Sequence, residues 1–147
     1  MEDVDAEPHD PPAFWPREAF LSDEVAPGGR SPETLDVTGR ARFLFFGPYS
    51  RLDRGVWRAK VRLRLCPDAA RSRLSVQFGA EPDSATADLE FGRAGFHEVT
   101  LEHRFDGAGL AQVRLMLRKA AFHGEIVFSG VQLTRVGDGE PASDVAS

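Results

Sequence analysis

Four basic residues at every second position dominate the chemistry this chain offers. Between Trp57 and Leu65 the cations Arg58, Lys60, Arg62 and Arg64 alternate with Trp57, Ala59, Val61, Leu63 and Leu65. Alternate side chains of an extended strand share a face, so the four form a stripe with a spacing of roughly 6–7 Å. Guanidinium groups grip carboxylate or sulfate through two parallel hydrogen bonds. The stripe therefore suits an anionic ligand, or else the acids of neighbouring strands, Asp88, Glu90, Glu98 and Glu102. Arg73, Gln77, Arg114 and Arg118 fall on the polar phase of other strands and would widen that face if they share its sheet. The rings placed to stack on a flat ligand are Tyr49 and Trp57, with Arg42 and Arg51 as polar neighbours. Each has a purely structural alternative. Tyr49 suits a corner, its hydroxyl bound to backbone, and Trp57 shares the apolar phase of Val61 and Leu63.

Covalent and acid–base chemistry finds little footing. Glycoside hydrolysis needs two carboxylates facing across a cleft. Asp88 with Glu90, and Glu98 with Glu102, instead line strand faces beside basic residues, where cross-strand ion pairing is the simpler expectation. The histidines are His9, His97, His103 and His123, with no H-x-H spacing, and Cys66 is the only cysteine. Clustered zinc ligands and a disulfide within the chain are thereby set aside. His103 falls on an apolar strand face and reads as a core residue. Glu81, Asp83 and Asp106 lie in loops, but at no calcium-loop spacing, so no metal or cofactor is expected. G-x-S-x-G, P-loop and G-x-G-x-x-G motifs are absent.

The elements that must position these groups are strands. Leu74, Val76 and Phe78 alternate with Arg73, Ser75 and Gln77. Ala87, Leu89 and Phe91 alternate with Asp88 and Glu90, and Val99 to Phe105 and Ala111 to Leu117 repeat the pattern. Ile126 and Phe128 precede Gly130 while Val131 and Leu133 follow it, a shift of phase that predicts a bulge at Ser129–Gly130. Arg42 to Phe46 and Leu35 to Val37 complete about eight strands. Turn signals such as Cys66-Pro67-Asp68 and Asp106-Gly107-Ala108-Gly109 separate them. The predicted fold is all-β: an antiparallel, jelly-roll-like β-sandwich with an irregular N-terminal arm. Its parts are an acidic, proline-rich arm (1–33), the sandwich (34–136) and a flexible tail (137–147). Phe14-Trp15 and Phe20-Leu21 are the arm residues able to pin it to the sandwich.

Charge is segregated along the chain. Residues 1–39 carry a net −8, residues 40–73 a net +8, and the whole chain −5. An acidic chain is a poor general binder of nucleic acid. No apolar run approaches the ~18 residues of a membrane helix, and the acidic start lacks a signal peptide's basic and apolar regions. The sequence alone therefore predicts a cytoplasmic protein with neither nucleic acid nor membrane as partner.

Two segments carry a family resemblance. One is Phe46-Gly47-Pro48-Tyr49, then Leu52, then Gly55-Val56-Trp57-Arg58-Ala59; the other is Phe128-Ser129-Gly130-Val131-Gln132-Leu133. Together they resemble β-sandwich modules of bacterial glycosyltransferases and polysaccharide-related proteins, modules similar to carbohydrate-binding and galactose-binding-like jelly rolls. The resemblance spans Leu35 to Val136 and implies a non-catalytic module for a glycan or polysaccharide, with an anionic bacterial polysaccharide suited to the arginines. No ligand residue is carried over from the family; read from the residues themselves, the candidates are Tyr49, Arg42, Arg51, Trp57, Arg62, Arg64, Gln77 and Arg114. The alternative is an assembly module, in which the arm and the basic stripe meet a protein partner or a second copy.

Overall fold

A computed structural model describes residues 13–23, 29–81 and 83–137. The alternating run around the basic stripe becomes β7 (Gly55–Leu65), and its neighbour is β10 (Gly95–Phe105). The two pair antiparallel along their whole eleven-residue lengths, from Gly55 opposite Phe105 to Leu65 opposite Gly95. On the other side of β7 lies β12 (Glu125–Gly137), whose far edge is shared by β1 (Ala13–Trp15) and β4 (Thr34–Asp36). The second sheet runs β5 (Arg42–Phe45), β11 (Ala111–Leu117), β8 (Leu74–Ala80), β9 (Asp83–Leu89). There β6 (Pro48–Ser50) joins β11 on the β5 side. A small ribbon, β2 (Leu21–Ser22) with β3 (Gly29–Arg30), closes one edge.

The two sheets bury their apolar phases against each other. From the first come Trp57, Ala59, Val61, Leu63 and Leu65; from the second come Leu74, Val76, Phe78, Val113, Leu115 and Leu117. Phe45 and Phe128 stack with centroids 3.9 Å apart, and Phe20 meets both edge-on at 5.3 and 5.0 Å. Each fully buried Phe contributes about 1.5–3 kcal/mol of transfer free energy, so this trio is a major tie between the layers.

The structure has twelve strands among the described residues, four more than the periodicity suggests. The additions are β1, β2, β3 and β6, each of two or three residues. Segments this short show no period in the sequence. Three of them lie in the stretch expected to be irregular. Ala13–Trp15 pairs with Leu133–Val131, Phe20 is fully buried, and Leu21 bridges Phe46. Pro16 does not break this course, because it stands before the 3-10 turn Arg17–Ala19, where no ladder N–H is needed. The boundary proposed at residue 33 thus falls inside the fold. The arm's first twelve residues and the tail beyond Gly137 lie outside the described residues.

The predicted bulge is present: the β12–β7 register shifts between Phe128 and Val131. Gly130 has φ +106°, and a Cβ there would stand 2.7 Å from the Trp15 carbonyl oxygen and 2.6 Å from the Phe14 ring. The glycine is what lets β1 lie against β12.

Candidate functional site: the outer face of the second sheet

The outward side chains of the second sheet include Gln112, Arg114 and Met116 on β11 and Ser75 and Gln77 on β8, with Arg114 opposite Gln77. Beside them the β5–β11 register slips between Leu115 and Met116. Phe45 pairs with Leu115 and stays in the core, while Phe43 pairs with Met116 and faces outward. The Arg114 guanidinium covers the Phe43 ring at 4.9 Å, a cation–π contact, and its Nη1 lies 3.5 Å from Glu81.

Tyr49 reaches the same face from β6. Its backbone φ is +64°, the left-handed region that costs a non-glycine residue about 1–2 kcal/mol. That conformation holds the ring out beside Phe46, edge-on at 6.5 Å, with the residue 41% exposed. The structural role considered for Tyr49 fails on one point: among the described residues its hydroxyl has no hydrogen-bond partner. Phe43, Phe46, Tyr49, Arg40, Arg42, Arg114 and Asp23 line an open groove of about 480 Å³, within the range of ligand-binding clefts.

Arg42 is committed to the groove's wall. It donates to the carbonyls of Arg40 (2.9 Å) and Asp36 (2.8 Å), latching the loop from β4 to β5. In that loop, hydrogen bonds from the Thr38 hydroxyl and backbone N–H hold the Asp36 carboxyl below the usual carboxylate range.

The eight residues proposed from sequence therefore do not form one site. Tyr49, Arg42 and Arg114 meet in the groove, and Gln77 lies next to Arg114 on the same face. Arg62 and Arg64 stand on the outer face of the other sheet. Arg51 is exposed between β6 and β7, outside the groove's lining. Trp57 is corrected: it is 4% exposed and its indole N–H donates to the Asp53 carbonyl at 2.8 Å. Its phase with Val61 and Leu63 decides its place, and no ring face is left for a ligand. Sequence reasoning missed Phe43, Phe46, Arg40 and Gln112. One signal was present for the rings: Phe43-Leu44-Phe45-Phe46 cannot all face one core from a single strand.

A second exposed ring stands at one end of the sandwich. Phe122 is 95% exposed, in a cleft with Arg71, Arg73, Lys119 and His123, and His123 Nδ1 lies 3.1 Å from Asp68.

No protein-family model matches the chain, and no curated protein matches it. Solved structures do match. The C-terminal CBM6 of LamC, a marine laminarinase from Zobellia galactanivorans, is 9% identical, with a TM-score of 0.52 over 85% of this chain and 100% of that one. A family 35 carbohydrate-binding module from Clostridium thermocellum is 8% identical, with a TM-score of 0.52 over 86% and 100%. TmCBM61, solved with β-1,4-galactotriose, is 9% identical, with a TM-score of 0.51 over 86% and 90%. The fold is that of the carbohydrate-binding β-sandwich modules. The chain also spans 13% of the length of dimeric latent PorU from Porphyromonas gingivalis, at a TM-score of 0.49. At these identities the likeness is one of architecture, and the ligand must be argued from the face itself.

Proposed function

We propose that the chain is a non-catalytic carbohydrate-binding module whose ligand lies in the groove on the second sheet, and that this ligand is an acidic polysaccharide. The observation that carries the reading is the joining of three outward aromatic rings to a partly buried guanidinium. Phe43, Phe46 and Tyr49 line one groove with Arg114, whose guanidinium covers the Phe43 ring. Flat apolar rings suit the C–H faces of sugars, while forked donors suit hydroxyls and carboxylates. Arg40, Arg42 and Arg114 line the groove, with Asp23 in the lining and Glu81 beside Arg114 as the acids, an excess of one cation that favours a uronate or sulfate over a neutral chain. The fold shared with carbohydrate-binding modules supports the same assignment.

The assembly alternative finds less support. The described part of the arm is built into its own sandwich through Phe20 and β1, and the stripe residues Arg58 and Arg62 pair with Glu102 and Glu98 of the same chain.

A glycan array at physiological salt, with acidic and neutral polysaccharides, tests the proposal. Tyr49→Ala or Phe43→Ala should weaken binding about tenfold or more, since ring stacking and its buried area exceed the ~1.4 kcal/mol that a factor of ten requires. Arg62→Ala, on the opposite face, should change little. Loss on Phe122→Ala with Tyr49→Ala silent would move the site to the end loops. No binding by the wild type would remove the glycan reading.

A further inference from the structure

Beside the groove, the paired ends of β8 and β9 come together closely, Gly79 opposite Ser84 and Ala80 opposite Asp83. Gly79 shares the outward phase of Gln77, and a Cβ there would collide with the Asp83 carbonyl and stand 2.5 Å from Ser84 Cα. This approach sets Glu81, Asp83 and Ser84 with Gln77, Gln112 and Arg114 around a recess of about 20 Å³. On this measure one water needs about 10–15 Å³, so the recess holds one oxygen-sized group.

Three polar atoms of the lining residues have no hydrogen-bond partner among the described residues: Gln77 Oε1, Gln112 Oε1 and Arg114 Nε. Gln112 is only 5% exposed, caught between Gly79 on one side and Pro48 on the other. Buried polar groups in folded proteins are almost always paired, and an unmade bond costs more than a made one returns. Two acceptors and one donor are the complement of a water, which gives one proton to each amide oxygen and accepts one from the guanidinium; a hydroxyl, with a single proton, fits the same seat once one of the two amides turns its NH2 toward it. A cation would sit against Arg114, and an anion against Glu81 and two amide oxygens. Arg114 also lines the aromatic groove, so recess and groove are continuous.

We infer that this recess is the specificity seat of the ligand face: it holds one ordered water in the free protein and takes one hydroxyl of the bound glycan in its place. The second half rests on the glycan reading above. The favoured ligand then has one free hydroxyl over Arg114. A sugar deoxygenated, methylated or acetylated at that position is refused, the first for lack of a hydrogen bond and the others for lack of room.

A high-resolution crystal structure of the free protein tests the first half. One water within hydrogen-bond distance of Gln77, Gln112 and Arg114 is expected; a dry recess, or the two amides bonded to each other, overturns the inference. Calorimetric titration of an array-identified glycan and its singly deoxygenated analogues tests the second. One analogue should bind about ten- to a hundredfold more weakly, as loss of a bond that leaves buried partners unpaired requires. Gln112→Met should lose a similar factor for the parent glycan and almost none for that analogue. Equal losses at every position, or a Gln112→Met protein with full affinity and selectivity, overturn it. A wild type that binds no glycan sinks the proposed function and the hydroxyl half with it, and a water seen in the free protein would then be structural only.

Discussion

The two outer faces of the sandwich both carry arginines and use them in opposite ways. On the first sheet, Arg58 lies directly across from Glu102 and Arg62 from Glu98. Arg58 Nη2 approaches Glu102 at 2.8 Å and Arg62 Nε approaches Glu98 at 3.0 Å, while Arg62 also donates to Gln132 at 3.3 Å. Arg64 covers the exposed ring of Phe96 at 5.4 Å. The full antiparallel register brings opposite charges together, and the result is a solvated ladder with much of its charge already matched. On the second sheet the register slips twice, between Leu115 and Met116 and between Ala111 and Gln112. The slips bring Phe43 outward and set Pro48 opposite Gln112, whose outward side chain is covered and incompletely paired. Regular pairing consumes polar groups, and irregular pairing leaves them for a ligand.

The largest expected effect comes from the backbone that walls the recess on the second face. Gly79→Val should destabilise the protein by about 3 kcal/mol, because the added side chain meets the β9 backbone, which cannot swing aside as a side-chain tip would. Thr100→Val, exposed on the ladder face, should stay within about 0.5 kcal/mol. Urea denaturation of both variants makes the comparison. Equal, small shifts would mean that Asp83 and Ser84 do not close on Gly79, and the recess would lose one wall.

A smaller effect comes from the layer between the faces. His103 points inward from β10, with its ring 5.0 Å from Phe105 and 6.5 Å from Phe78. Burial lowers its pKa from the ordinary 6.5, and the charge of Asp83 only partly opposes the shift. The folded state therefore binds this proton less readily than the unfolded chain. Stability from His103 is fully present above pH 6.5 and declines as pH falls from there through the lowered value. His103→Gln should flatten that slope in melting curves taken between pH 7.5 and 5; an unchanged slope would assign it to other groups.

How far these features were legible differs between the same two faces. The ladder could be read in part, since Arg58 to Arg64 and Glu98 to Glu102 alternate without interruption and oppose one another in one antiparallel register, whereas Asp88, the other acid expected against the stripe with Glu90, lies on β9 of the second sheet and faces Arg118. The bulge at Gly130 announced itself as a change of phase, and His103 and Trp57 kept the phase of their apolar neighbours. The groove was legible only in part. Tyr49, Arg42, Gln77 and Arg114 stand out in the sequence, whereas Gln112 shares the polar phase of Arg114 and so reads as open to solvent. Its burial depends on the approach of Pro48 and the bare backbone of Gly79, contacts between distant segments that no local period encodes. The arm's short strands were hidden for a related reason, although the pinning residues Phe14-Trp15 and Phe20-Leu21 could be read. Prolines suppress long elements, yet Phe20 needs only a short tether to fill the space beside Phe45 and Phe128.

The smallest expected effect bears most directly on the contrast. Arg62 and Glu98 make a close ion pair, but their side chains are 57% and 41% exposed. Water and salt screen such a pair, and two long side chains lose rotamer freedom to hold it. A double-mutant cycle with Arg62→Ala and Glu98→Ala should give a coupling of about 0.2–1 kcal/mol, shrinking toward zero when salt is raised to 1 M. The binding of any glycan taken by the second face should be indifferent to all three variants. A coupling of several kcal/mol, or a loss of glycan affinity in step with it, would show that the ladder is part of the binding surface. The stripe that dominates the sequence would then have to be reassigned from balancing charge to recognition.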